Sequence, residues 1–447
     1  MKTAINRRQF LKIAGLSAAA TGSMGIFNGC SNKKEASEFG TMTYRVNPKD
    51  QSKVSILGYG CMRWPVIKDE NGNTMVDQEM TNQLVDRAIA DGVNYFDAAP
   101  MYLDGDCERV TGTALARHPR DKYYIATKLS NFKDASKEAS MKMYLKSFED
   151  LQTDYIDYYL LHSVKSLEVF NTRFKDNGMI DFLLEERKAG RIKNLGFSFH
   201  GNKKGFDELM ALHDVYHWDF VQIQSNYVDW NNAGPRNTNA SYLQAELDKR
   251  GIPSIIMEPL LGGRLAKAPE HISDRLKQRD ADKTAASWAF RFAGTHPTVL
   301  TVLSGMTYME HLEDNIKTFS PLEPLTDSDL NFLEETASIM KKYPLVPCTE
   351  CRYCMPCPYG IEIPSIFLHY NKCVNEGTIT TDSMSENYRR ARRAYLVSYD
   401  RAIPSISQAD HCIGCGKCAA ECPQSIDIPR ELMRISRYIK NLQRNKF

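Results

Sequence analysis

The segment MTNQLVDRAIADGVNYFD, residues 80–97, joins a helical pattern to a strand pattern, and this alternation decides the fold. Over Met80–Ala90 the apolar side chains recur at helical spacing, at Met80, Leu84, Val85, Ala88 and Ile89. Over Val93–Asp97 a short run rich in Val, Tyr and Phe is typical of a strand. A helix that leads into such a run is one unit of an alternating α/β fold.

The same alternation continues between residues 55 and 315. Short β-rich runs, most of them separated by helical patterns, give eight candidate strands: Ser55–Cys61, Val93–Asp97, Tyr123–Lys128, Tyr155–His162, Ile192–Ser198, Phe220–Gln224, Ser254–Glu258 and Val299–Ser304. No G-x-G-x-x-G follows the first of them, so nothing favours a dinucleotide-binding sheet. The sequence therefore predicts an α/β fold, a closed (β/α)8 or TIM barrel over residues 45–325.

Polar side chains stand at the carboxyl ends of three neighbouring candidate strands. Asp97 ends the second strand, Lys128 the third and His162 the fourth, while Tyr102 lies in the loop after Asp97. In a barrel these strand ends meet on one face. A tyrosine holds its proton at neutral pH and can donate it to a developing alkoxide. We expect Lys128 to lower the pKa of Tyr102, Asp97 to hold Lys128, and His162 to orient the substrate oxygen.

The residues around this tyrosine resemble the signature of the aldo-keto reductases. The stretch DAAPMY, residues 97–102, is followed by Glu108 and Gly112, and Lys128 and His162 stand where that family places its lysine and histidine. The resemblance covers most of residues 55–315. It implies a barrel enzyme that interconverts a small carbonyl and an alcohol, with Asp97, Tyr102, Lys128 and His162 as the catalytic residues.

The same resemblance implies a nicotinamide cofactor, NAD(P), as a candidate. Its carboxamide would contact three polar side chains: Ser198, Gln222 and Asn226. Three departures weaken this expectation. Phe199 replaces an asparagine common in the family, and Met257 stands where an aromatic ring is usual. The stretch 304–315, where many members hold a 2′-phosphate with basic side chains, contains no Lys or Arg.

Eight of the twelve cysteines form two tight groups near the C-terminus. The second group has the spacing C-x2-C-x2-C-x3-C-P of bacterial ferredoxins with two [4Fe–4S] clusters, and the first is a near variant. Three thiolates of one run bind one cluster while the fourth reaches the other. One predicted set is Cys348, Cys351, Cys354 and Cys422. The other is Cys412, Cys415, Cys418 and Cys357.

Two zinc sites of four thiolates each are the alternative for these cysteines. Consecutive two-residue gaps suit the compact face of a cluster better than separated zinc knuckles. Residues 340–447 are therefore predicted to form a small, mainly helical, ferredoxin-like iron–sulfur domain. Between the two groups, residues 359–411 should be mainly helical, with Ile366, Phe367 and Tyr370 as packing residues. Cys373 has no partner motif and is expected to be a small buried residue.

The N-terminus has the pattern of a targeting segment. The run NRRQFLK, residues 6–12, and the apolar stretch 13–27 resemble a twin-arginine export signal, and the stretch is shorter than a membrane span of about 20 apolar residues. Cys30 after Phe-Asn-Gly resembles a lipoprotein cleavage site, so lipidation of Cys30 and ordinary cleavage both stay open. Residues 1–30 predict export, to the periplasm or to a lipid anchor on the membrane.

A formal net charge of +2 gives no reason to expect a nucleic acid or an acidic membrane surface as partner. The basic run Arg389, Arg390, Arg392 and Arg393 is typical of a solvated helix face.

The leading hypothesis is an exported iron–sulfur oxidoreductase with an unidentified redox partner. The alternative is an electron-transfer or scaffold protein whose barrel no longer catalyses. Hydride transfer moves two electrons at once whereas each cluster passes one, so a flavin or two clusters acting in succession would have to bridge the difference.

Overall fold

A computed structural model describes residues 40–234, 237–341 and 345–447. The predicted export signal over residues 1–30, with Arg7, Arg8 and Cys30, lies outside the described residues. Within the described ranges, no helix combines the length and the apolar character needed to cross a membrane.

Eight parallel strands close into a barrel, as predicted. The described strands are β1 Tyr44–Val46, β2 Lys53–Ser55, β3 Leu57–Gly60, β4 Val66–Lys68, β5 Thr74–Val76, β6 Tyr95–Asp97, β7 Tyr124–Leu129, β8 Ile156–Val164, β9 Ile192–Phe199, β10 Phe220–Gln224, β11 Ser254–Met257 and β12 Val299–Ser304. The barrel runs in the order β3-β6-β7-β8-β9-β10-β11-β12, and β12 closes it by pairing with β3. Two antiparallel pairs, β1 with β2 and β4 with β5, stand outside the barrel.

The strand ends differ from the predicted bounds at two informative places. Ser55 belongs to the antiparallel pair, and Cys61 begins a short 3-10 turn, so the first barrel strand is shorter than Ser55–Cys61. Glu258 has a φ of 55°, in the left-handed region, so the seventh barrel strand ends at Met257. The strands Phe220–Gln224 and Val299–Ser304 have the predicted bounds.

Helices fill the connections between barrel strands and build most of the C-terminal domain. Up to residue 341 they are Gln78–Ala90, Cys107–Leu115, Lys137–Leu151, Leu167–Phe170, Met179–Lys188, Lys203–Met210, His213–Tyr216, Ala240–Asp248, Glu270–Arg279, Ala285–Thr295, Met309–Phe319 and Asp327–Met340. The later ones are Ile363–Asn375, Tyr388–Ala402, Lys417–Glu421 and Ile428–Gln443. The first begins two residues before Met80, because the Asp77 side chain accepts the backbone N–H of Met80 and caps it.

The interior of the barrel is apolar and aromatic below the predicted site. Its buried residues include Tyr95, Tyr158, Phe220 and Ile255. The rings of Tyr158 and Phe220 meet edge to face, with centroids 5.2 Å apart. This packed floor keeps water away from the strand ends above it, so polar groups there need protein partners.

The C-terminal domain has its own core, and it is mainly helical as predicted. Ile366, Phe367 and Tyr370 of the helix Ile363–Asn375 are buried in it, as is Cys373. The four arginines of the predicted solvated face lie in the first two turns of the helix Tyr388–Ala402. Three of them, Arg389, Arg390 and Arg393, are exposed, while Arg392 donates to the backbone oxygens of Leu442 and Gln443.

Candidate active site beneath the cysteine domain

The predicted lysine and aspartate form a buried ion pair. Lys128 Nζ lies 2.5 Å from Asp97 Oδ1 and 2.7 Å from the carbonyl oxygen of Ala98. The two residues are only 1% and 3% exposed. Burial raises the pKa of Asp97, while Lys128 and a hydrogen bond from Gln222 oppose that increase. The pair is fixed where the neighbouring strands β6 and β7 end.

Tyr102 lies directly against this pair. Lys128 Nζ is 5.0 Å from the centroid of the Tyr102 ring, and that ring meets His162 edge-on at 5.9 Å. Burial, followed by the charge of Asp97, raises the pKa of Tyr102 well above its ordinary value. The net shift is opposite to the lowering expected from Lys128, because desolvation and the charge of Asp97 outweigh it. Tyr102 keeps its proton at neutral pH, as a donor must.

His162 is held as a neutral donor. Its Nδ1 lies 2.6 Å from the Ser130 hydroxyl, and burial, followed by the charge of Lys128, lowers the pKa of His162 well below its ordinary value. When the Ser130 hydroxyl donates to Nδ1 of a neutral ring, Nε2 carries the ring proton. Ser130 was not predicted from the sequence, although its position two residues beyond Lys128 at a strand end was an available signal.

Tyr353, which lies between two cysteines of the C-terminal domain, also reaches the site. This contact was not predicted from the sequence. The Tyr353 hydroxyl lies 3.0 Å from His162 Nε2, and its hydrogen bond to the Tyr102 oxygen lowers the pKa of Tyr102. Phe132 packs against the rings of His162 and Tyr353, with centroids 5.1 and 6.1 Å away. The C-x2-C spacing of Cys351 and Cys354 contains no signal for this contact.

Two further residues of the predicted signature are structural. Glu108 accepts a hydrogen bond from Thr127 Oγ1 at 2.5 Å, and burial raises the pKa of Glu108 to about 7. A Cβ on Gly112 would lie 2.2 Å from the backbone oxygen of Asp150. Gly112 therefore lets two helices approach closely, and neither residue belongs to the site itself.

The three predicted nicotinamide contacts have protein partners. The Ser198 hydroxyl accepts the backbone N–H of Ser163 at 2.7 Å. Gln222 lies beside Asp97 and opposes the rise in the Asp97 pKa, and its buried Oε1 has no protein partner. Asn226 shapes a turn, because its Oδ1 accepts the backbone N–H of Asp229 at 2.9 Å and its Nδ2 donates to the carboxylate of the same residue.

The C-terminal domain covers the strand ends that a nicotinamide would contact. At the end of β10, the side-chain amides of Gln224 and Gln424 exchange hydrogen bonds of 3.2 and 2.8 Å. After β11, a Cβ on Gly262 would lie 2.6 Å from the Cα of Thr349. A single buried oxygen of Gln222 without a hydrogen-bond partner does not form a binding site for the carboxamide. The residues present therefore do not fit a bound nicotinamide.

Two more hydrogen bonds hold the cysteine domain over these strand ends. Arg63 Nη2, in the turn after β3, donates to the carbonyl oxygen of Thr349 at 2.9 Å. Lys165 Nζ, after β8, donates to the carbonyl oxygen of Ala420 at 2.7 Å. The cysteine domain thus contacts residues at or just beyond the ends of four barrel strands, all on the face where the predicted catalytic residues lie.

The cysteines gather in the two predicted sets. Cys348, Cys351, Cys354 and Cys422 line one cavity whose other walls include Ile363, Phe367 and Ile426. The second set is also close together, since charges on Cys412, Cys357 and Cys415 raise the pKa of Cys418. Among the described residues, no three Cys, His, Asp or Glu side chains converge tightly enough to hold a single metal ion. Four thiols around a wider, apolar-walled space fit a cluster.

Comparison with known proteins agrees with both parts of the chain. Residues 57–337 match the aldo/keto reductase family, and residues 347–426 match the 4Fe-4S dicluster domain. Because the first match spans more than half of the 447 residues, the chain belongs to the aldo/keto reductase family. It is an oxidoreductase of that family that carries an iron–sulfur domain.

Individual relatives are distant. The chain is 24% identical over 319 residues to L-galactose dehydrogenase of Arabidopsis thaliana, covering 65% of this chain and 91% of that protein. It is 22% identical over 331 residues to the NADH-specific methylglyoxal reductase of Escherichia coli, covering 66% and 99%. A solved aldo-keto reductase from Klebsiella pneumoniae in complex with NADPH is similar with a TM-score of 0.53 and 22% identity, covering 66% and 95%. That structural likeness shows the barrel fold.

Proposed function

We propose that the protein is an exported oxidoreductase that interconverts a small carbonyl and its alcohol at Tyr102, with electrons passing through two [4Fe–4S] clusters. One observation carries the proposal. The predicted catalytic residues lie directly beneath the cysteine domain, and Tyr353, between Cys351 and Cys354, touches His162. The redox chemistry of such a domain and the acid–base chemistry of the barrel would then act in one place.

Each barrel residue has a definite task in this proposal. The carbonyl oxygen of the substrate accepts hydrogen bonds from Tyr102 and from His162 Nε2, and Tyr102 gives up the proton that this oxygen takes. The carbonyl carbon takes a second proton, from water, and two electrons delivered one at a time complete the reduction. The Lys128 ammonium lies 5.0 Å from the Tyr102 ring centroid and stabilises the negative charge that this transfer leaves. Asp97 keeps Lys128 in place, and Ser130 keeps the proton of His162 on Nε2.

The eight cysteines would hold the two clusters in the sets described above. When bound, such clusters supply electrons singly. We derive no step through a nicotinamide, since Gln424 and Thr349 cover the strand ends where it would lie. The partner that exchanges electrons with the clusters is proposed to be a one-electron carrier.

Export by the twin-arginine route rests on Arg7 and Arg8, and a lipid anchor rests on Cys30. A folded-protein route suits a chain whose clusters must be inserted before it crosses the membrane. The protein would then act in the periplasm or at the membrane surface.

A second candidate is an electron-transfer or scaffold protein with an inactive barrel. The observation in its favour is that Tyr353 already bonds the two donors of the site. If Tyr353 never leaves, no substrate oxygen reaches Tyr102.

One experiment separates the two candidates. Anaerobic protein is reduced with dithionite and mixed with methylglyoxal, and alcohol formation and the visible absorbance of the clusters are followed. We expect Tyr102→Phe to slow turnover about 10²–10⁴-fold, the usual contribution of a positioned acid–base group. The matched control is Tyr359→Phe, which changes an exposed tyrosine of the cysteine domain. Equal rates for Tyr102→Phe and wild type, with the iron content unchanged, would favour the scaffold.

A further inference from the structure

The hydroxyl of Tyr353 lies against both Tyr102 and His162. It lies 3.0 Å from His162 Nε2 and shares a hydrogen bond with the Tyr102 oxygen. These are the two groups that would bind a substrate oxygen. The subsite is therefore already filled, and it is filled by an oxygen attached directly to a six-membered aromatic ring.

The ring that carries this oxygen has aromatic neighbours. The Tyr353 ring packs beside Phe132, with centroids 6.1 Å apart, and meets His162 edge-on at 5.9 Å, and Phe132 and His162 also touch each other at 5.1 Å. Aromatic walls at these distances favour another planar ring and leave an acyclic carbonyl compound with few contacts.

The Tyr353 side chain can leave this position without the rest of the domain. Cys351 and Cys354, on either side of Tyr353, line the cavity of the first cysteine set, and the proposed cluster would hold the backbone at both. Rotation about the Cα–Cβ bond of Tyr353 moves only the ring. Tyr353 and Tyr102 are both only partly buried as whole residues.

We propose that Tyr353 is a displaceable occupant of the substrate subsite and that the substrate which replaces it is a quinone or the corresponding hydroquinone. In these compounds the oxygen is attached directly to the ring, as it is in Tyr353. The quinone oxygen would accept hydrogen bonds from Tyr102 and His162, and its ring would pack against Phe132. For its chemistry, this assignment rests on the proposed function.

The reaction balances without a hydride carrier. A quinone takes up two electrons and two protons, and each carbonyl group becomes a ring hydroxyl. Tyr102 supplies the proton at the bound oxygen, and water supplies the proton at the other. The reductant is a one-electron donor that gives up one electron twice. Because quinones accept electrons singly, the mismatch between one-electron clusters and two-electron carbonyl reduction no longer arises.

Binding of 4-methylphenol, which has the shape of a tyrosine side chain, tests the subsite independently of turnover. Isothermal titration of the cluster-loaded protein would compare wild type, Tyr353→Ala and the control Tyr359→Ala. We expect Tyr353→Ala to bind 4-methylphenol at least about tenfold more tightly than wild type, because the internal competitor is gone. Toluene, which lacks the hydroxyl, should gain less than about threefold from the same substitution, since it cannot replace the lost hydrogen bonds.

Equal affinity of wild type and Tyr353→Ala for 4-methylphenol would overturn the assignment, as would an equal gain for toluene. Should Tyr353→Ala lose iron, Tyr353→Phe takes its place in the same titration. That variant keeps the ring but lacks the hydroxyl. The apparent affinity for 4-methylphenol should therefore be at least about threefold higher in Tyr353→Phe than in wild type.

Turnover then tests the substrate class. With dithionite-reduced protein and duroquinone, 4-methylphenol should inhibit competitively, and Tyr353→Ala should lower KM at least about fivefold with kcat little changed. Re-oxidation that 4-methylphenol does not inhibit would refute the quinone assignment, because the electrons would then leave elsewhere. Tight phenol binding combined with full activity in Tyr102→Phe would instead refute the proposed function and leave the subsite standing.

Discussion

Replacing Lys128 by methionine tests the buried ion pair on which the proposed site depends. Methionine keeps most of the volume of the side chain but leaves Asp97, only 3% exposed, without its cation. Removing one partner of a buried pair costs about 3–5 kcal/mol. For a domain of this size the loss corresponds to a fall in Tm of roughly 6–20 °C.

The matched control is Lys146→Met. Lys146 also pairs with an aspartate, Asp150, at 2.7 Å, but its side chain is 57% exposed. An exposed pair one helical turn apart contributes only about 0.3–0.5 kcal/mol, so this Tm should move by no more than about 2 °C. Thermal unfolding by far-UV circular dichroism, at one heating rate and under anaerobic conditions, would compare both variants with wild type, with iron measured in each sample.

The Tm difference between Lys128→Met and wild type should change with pH in a definite direction. Without Lys128, burial holds the folded-state pKa of Asp97 above its unfolded value of about 3.9. An acid with a raised folded pKa contributes most stability when protonated and loses it as the pH rises through that pKa. The Tm gap between Lys128→Met and wild type should therefore widen from about pH 5 to pH 8. A gap as small as that of Lys146→Met, or one that narrows as the pH rises, would refute the reasoning.

Three other outcomes are expected. Anaerobically purified protein should carry about eight irons per chain, and Cys415→Ser should lose about half of them; stoichiometric zinc without iron would contradict the clusters. Changing Arg7 and Arg8 to lysine should leave folded, cluster-loaded protein in the cytoplasm, as cell fractionation would show, whereas unchanged export would point to another route. Burial raises the pKa of Glu108 to about 7, so its contribution to stability falls as the pH rises through 7, and Glu108→Gln should flatten the dependence of Tm on pH there.

The barrel could be predicted from local patterns because each strand and helix carries its own periodicity. The meeting of Asp97, Tyr102, Lys128 and His162 on one face followed from the same patterns, since strand ends of a barrel share one face. Strand ends were less predictable: Glu258 looks like the last residue of its run, but its backbone turns to a φ of 55°. That turn depends on the following loop, which lies under Thr349.

The electrostatics and the long-range contacts could not be predicted in this way. The direction of the pKa shift of Tyr102 depends on how far the site is buried and on how closely Asp97 neutralises Lys128. The contact of Tyr353 with His162 joins residues 191 positions apart. Cysteine spacing identifies the ligands of a cluster but contains no information about the side chains between them.

The position of the cysteine domain, which covers the ends of the barrel strands, explains departures from the family pattern. The Phe199 side chain, at a position where other members bind the carboxamide, packs against Phe206 with centroids 5.0 Å apart. Gln224, two residues beyond a predicted carboxamide contact, bonds Gln424 of the cysteine domain. With the cover in place, a polar residue at position 199 would be buried without a cofactor to bond, which costs free energy, whereas a phenyl ring is stabilised there. The cysteine domain and the departures from the nicotinamide contacts thus belong to one arrangement, which supports the proposal that electrons reach the barrel by another path.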